Sequence, residues 1–75
     1  MKYAKETMEL MAAYPGRDFK MAEVVRFVMS QGNHNVHNVR IGVSRVMSEL
    51  ESSGTILRRP PRAARGGFAL YRWNP

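Results

Sequence analysis

The sequence has no cysteine, which excludes a disulfide framework, a thiolate metal site and a thiol nucleophile. Histidine occurs twice, His34 and His37 in the stretch GNHNVHN. No carboxylate or third histidine stands near them in the chain, so a set of three or four metal ligands is not expected. No run approaches the roughly 18 apolar residues that a membrane-spanning helix needs. The opening stretch MKYAKETMELMAAYPG carries Glu6 and Glu9 where a secretory leader would be apolar, so a cytoplasmic protein is expected. Paired carboxylates, a Ser/His/Asp set and a glycine-rich loop leading into a helix are also missing. Neither an enzyme nor a cofactor-binding protein is therefore expected. One further absence is positional: residues 52–75 contain no acidic residue.

The charge that is present follows from that gap. The 75-residue chain has 12 Lys plus Arg against 6 Asp plus Glu, a formal charge of +6. Residues 1–51 nearly balance, with seven basic and six acidic groups. The other five basic groups are all arginines: Arg58, Arg59, Arg62, Arg65 and Arg72. Such asymmetry points to a polyanionic partner, a nucleic acid or an anionic membrane. The arginines fall among Pro60, Pro61, Gly66 and Gly67 and not on an amphipathic helix, which disfavours the membrane surface. The length suits one domain spanning residues 1–75, and a chain this short buries only about 60% of its unfolded surface, so its core must be thin.

Punctuation divides the chain. Residues 2–14 are rich in good helix formers and end at Pro15-Gly16, which predicts a helix with a stripe of Ala4, Met8, Met11 and Ala12. Residues 20–30 place Met21, Val24, Val25 and Val28 at helical spacing, and Arg17-Asp18-Phe19 before them can hold a stub of strand. Residues 36–53 form the best-defined helix. Val36, Val39, Val43, Val46, Met47 and Leu50 make its apolar stripe, Asn35 is suited to cap its start, and Gly54 to end it in a left-handed conformation. Residues 55–59 and 68–73 read as two strands of a hairpin spanning 55–73, joined by a loop from Pro60 to Gly67. Trp73 is expected to close the hairpin onto the helices.

This order resembles the winged helix-turn-helix domain. The residues that carry the resemblance are VSRVMSELESSGTILRRP, the arginine-bearing loop, and GGFALYRW. In bacterial winged-helix regulators an amphipathic third helix similarly ends in a leucine and a polar pair. A glycine, a β-branched residue and arginines follow, and the wing closes on a Tyr-Arg strand. The likeness covers roughly residues 18–73 and rests on residue types and spacing. In size and layout the chain is similar to fimbrial-operon regulators of enteric bacteria and to small phage regulators. The resemblance implies an α+β fold of three helices followed by a two-stranded wing, and a sequence-specific regulator that binds double-stranded DNA.

The residues lead to the same expectation on their own. The side of the third helix opposite its apolar stripe carries Asn38, Ile41, Arg45 and Ser48, with His37 and Ser44 on one shoulder and Arg40 nearer the core boundary. Glu49 and Glu51 come only at its far end. A helix with that face can enter the major groove, where Arg reads guanine and Asn reads adenine. The expected DNA-binding residues are His37, Asn38, Arg40, Ser44 and Arg45 on the helix, with Arg58, Arg59, Arg62 and Arg65 of the wing on phosphates or in the minor groove; Lys20 can add a backbone contact. A protein partner is the rival, because a fold does not fix a function and Ile41 stands exposed amid polar residues. Structured RNA is a weaker third reading. A monomer or weak homodimer is expected.

Overall fold

The computed structural model describes residues 2–60 and 68–75. In chain order it contains α1 (Ala4–Ala13), β1 (Phe19–Lys20), α2 (Met21–Ser30), α3 (Val36–Ser52), β2 (Ile56–Arg59) and β3 (Leu70–Trp73). The architecture is α+β. The sheet has three antiparallel strands, ordered β1-β3-β2, where two were expected. Phe19 pairs with Tyr71 and Lys20 with Leu70, so the short extended link before α2 becomes the third strand. β3 starts at Leu70 and not at Phe68, and the expected loop residues 61–67 lie outside the described residues. No helix among the described residues is long and apolar enough to cross a membrane.

Every element contributes to one core: Met11 of α1, Phe19 of β1, Val24, Val25 and Val28 of α2, Val39, Val43 and Met47 of α3, Ile56 of β2 and Tyr71 of β3. The valine stripes of α2 and α3 are buried as their helical spacing predicts. Val36 departs from its stripe and is 48% exposed, because it opens α3 beyond the edge of the packed region. The ends of α3 follow local chemistry. Asn35 Oδ1 accepts the Asn38 amide hydrogen at 3.2 Å. At the other end Gly54 takes φ +79°; its amide donates to the Glu51 carbonyl at 3.1 Å and the Thr55 amide to the Leu50 carbonyl at 2.9 Å. This pair of bonds is a Schellman stop, which satisfies helix-end carbonyls that would otherwise lack donors. Thr55 then enters β2 directly, and Asn74 ties down the far edge by donating its amide to the Thr55 carbonyl at 2.9 Å.

α1 is rotated from its expected stripe. Its buried line runs through Thr7 and Met11, continuing from Tyr3, while Ala12 is exposed and Ala4 and Met8 are only half-buried. The cause is Tyr3, which the sequence reading placed inside a helix over residues 2–14. It lies instead just before α1, in the left-handed region at φ 68°. That conformation costs a non-glycine residue about 1 kcal/mol or more. The buried ring compensates for it. The ring packs on α3 so closely that a Cβ on Gly42 would overlap Tyr3 Cδ2 and Cε2. It also meets His34, in the α2–α3 turn, edge-on at 5.3 Å between centroids.

Two stability changes follow. Gly42→Ala is expected to cost about 1–2 kcal/mol by overpacking, read from urea denaturation. In a Tyr3→Ala background the cost should vanish, leaving the helix preference of alanine over glycine, about 1 kcal/mol in the stabilising direction. The Thr7 hydroxyl is buried with no hydrogen-bond partner among the described residues. Thr7→Val removes an unsatisfied group at nearly constant shape and is expected to raise stability by about 1 kcal/mol.

Candidate nucleic-acid interface

With Val39, Val43, Val46 and Met47 buried, the 3.6-residue period turns the opposite side of α3 outward. His37, Asn38, Arg40, Ile41, Ser44, Arg45 and Ser48 are all exposed. The first turn of α3 carries no acidic residue, and its leading amides point out of the helix end. Glu49 and Glu51 are exposed near the opposite end. The face therefore offers hydrogen-bonding groups and cations over its first three turns and carboxylates only past them.

Lys2 is a member of this surface that sequence reasoning missed. The left-handed turn at Tyr3 carries the chain back against α3, so Lys2 lines a shallow cleft with Asn38, Ile41 and Arg45. Lys2 and Arg45 thus line one cleft, with no carboxylate ion-paired to either among the described residues. The signal that could have found it is Gly42. A glycine in mid-helix is unfavourable and commonly marks a close approach by another segment.

On the sheet, Arg58, Arg59 and Arg72 line one shallow pocket with Asp18 and Leu57, although strand alternation starts their side chains from different sides. Arg58 is opposite Tyr71, on the side shared with buried Ile56, yet is itself exposed. Arg59 is opposite Leu70 and Arg72 opposite Leu57, on the other side. No carboxylate stands near Arg59 in residues 52–75; the fold nevertheless joins it to Asp18 in an ion pair. Asp18 is distant in sequence but adjacent across the sheet. Arg17 is likewise engaged, 3.5 Å from Glu23 and 4.7 Å from the centre of the Phe19 ring. Arg62 and Arg65 lie outside the described residues.

α3 and the sheet meet at one further point. Phe68, just before β3, lines the same groove as Val36 and Arg40 of α3, and Lys20 Nζ sits 4.9 Å from the centre of its ring. The base of β3 is thus a neighbour of the first turns of α3. Of the two histidines, His37 is exposed on α3 and His34 is half-buried between Gly32 and Tyr3. Among the described residues no three His, Cys, Asp or Glu side chains gather as a metal-binding group.

Comparison of the chain with protein-family models, curated proteins and solved structures finds no match. The Asp18–Arg59 pair is half-exposed, and such pairs contribute little. Asp18→Asn is expected to lower stability by less than about 1 kcal/mol in denaturant unfolding; a larger loss would mean that the pair holds β1 to the sheet.

Proposed function

We propose that the chain is a sequence-specific regulator that binds double-stranded DNA through a winged helix-turn-helix. The element order α1-β1-α2-α3-β2-β3, with its antiparallel β1-β3-β2 sheet, supports this reading because it is the layout of that fold. The observation that carries it is the outward face of α3. This face combines Asn38 and Arg45, which can pair with base edges, with Lys2 and Arg40, which have no ion-paired carboxylate among the described residues.

The division of labour follows from chemistry and position. α3 lies in the major groove with its first turns deepest. Arg45 donates two parallel hydrogen bonds to a guanine edge, and Asn38 pairs with an adenine edge. His37 and Ser44 add single hydrogen bonds from the shoulder. Lys2 and Arg40 flank the helix and meet phosphates, which fix register without reading sequence. Arg58 reaches a phosphate from the sheet, while Arg59 is held by Asp18 and is left out of the contact set. Ile41 packs against a thymine methyl, the apolar feature of that groove. A second reading, a protein-interaction module, draws on the exposure of Val36, Ile41 and Phe68.

Selection from a random duplex pool at near-physiological salt is expected to enrich a defined motif. With Lys2, Arg40 and Arg58 on phosphates, log K against log salt should fall with a slope of about −3, and approach −5 with Arg62 and Arg65 also engaged. Arg45→Ala should relax preference at one base pair at a cost of about 1–3 kcal/mol. Lys2→Gln should weaken all sequences alike and flatten the slope by about one. No duplex retention at low salt would overturn the reading in favour of the protein-partner alternative.

A further inference from the structure

An apolar groove of about 540 Å³ runs between α2, the first turns of α3 and Phe68, two residues before β3. Met21, Val25, Met29, Val36 and Phe68 supply its apolar walls. Phe68 is 67% exposed and Val36 48%, so two large apolar side chains stand uncovered beside this concavity. Among the described residues two charged side chains line it, Arg26 and Arg40, and no carboxylate does. Lys20 adds a third cation over the Phe68 ring. The acidic residue of α2, Glu23, is occupied elsewhere, accepting from the Lys20 amide at 2.9 Å and from Arg17. The groove thus presents an apolar floor and a rim of one sign.

We propose that this groove binds a small amphiphilic anion, an aliphatic or aromatic chain ending in one carboxylate. The volume falls within the range of small-ligand sites, which are mostly apolar with a few fixed polar groups. The chain lies against Met21, Val25 and Met29 and beneath Phe68. Methionines suit this role, since their unbranched thioethers adapt to varied shapes. The carboxylate sits at the mouth between Arg26 and Arg40, whose planar guanidiniums form paired hydrogen bonds with such a group. A neutral chain would gain only the floor, and a cationic one would be repelled by the rim. The site does not depend on the DNA-binding reading. It touches that reading at Arg40, which borders the face assigned to DNA, so ligand and duplex draw on one guanidinium and oppose each other.

The test uses the full chain, free of DNA, with methyl-labelled methionine and decanoate as the probe, below micelle formation. Met21 and Met29 methyl signals are expected to shift saturably, while those of Met11 and Met47, buried in the core, stay in place. Decanol should bind about tenfold more weakly than decanoate, and Arg26→Gln with Arg40→Gln should weaken decanoate by about the same factor and leave decanol unchanged. Phe68→Ser should weaken both ligands; the ring is 67% exposed and lies outside the core, and unchanged Met11 and Met47 signals check directly that the fold is kept. The proposal is overturned if Met21 and Met29 do not shift, if all methionines shift together as in detergent-like unfolding, or if the double arginine variant binds decanoate as well as the parent does. Loss of duplex binding in any of these proteins bears on the DNA reading alone, because no duplex enters this assay.

Discussion

The packing of α2 on α3 sets the rotation of α3, and the exposed face of the molecule follows from that rotation. Val24, Val25 and Val28 share one core with Val39, Val43 and Met47. Burying one such side chain is worth about 1.5–3 kcal/mol, whereas an exposed ion pair contributes about 0–1 kcal/mol. The apolar stripe therefore outweighs any preference of the charged residues. His37, Asn38, Ile41, Ser44 and Arg45 face outward because the valines cannot, which leaves their chemistry available for recognition.

Tyr3 extends this constraint to the beginning of the chain. Its strained backbone is tolerated because the ring fills the space above Gly42 and abuts His34 in the turn between α2 and α3. A single side chain thus joins α1, α3 and the turn, and it delivers Lys2 to the edge of the outward face. Without Gly42 the ring could not approach. Without the left-handed turn Lys2 would extend α1 away from Arg45.

A short chain also has too little surface-to-core economy to cover all its apolar groups. Two of the exposed large apolar side chains fall together. Val36 steps out of the α3 stripe and Phe68 falls outside β3, and both line the groove rimmed by Arg26 and Arg40. Scattered exposed apolar residues are ordinary, but a contiguous patch beside a concavity is the usual form of a binding surface. The same helix turn therefore serves two proposed roles, base reading on one side and the groove on the other, with Arg40 between them.

Most of the secondary structure was legible in the sequence, because its signals are local. Helical spacing marked the valines of α2 and α3, Asn35 marked a start, Gly54 a stop, and Pro15-Gly16 the end of α1. The exposed polar side of α3 followed from the same period. The pairing of β2 with β3 was legible as a hairpin, but contacts beyond it were left open. Phe19 gained strand partners only when Tyr71 arrived beside it. Arg59 met Asp18 across 41 positions, and Arg72 came to line one pocket with Arg58 and Arg59. Lys2 reached Arg45 through a backbone turn that no propensity favours. Periodicity and capping are properties of neighbouring residues, so the chain order encodes them directly. Contacts between remote segments depend on how the whole core closes, and that was decided only by the tertiary structure.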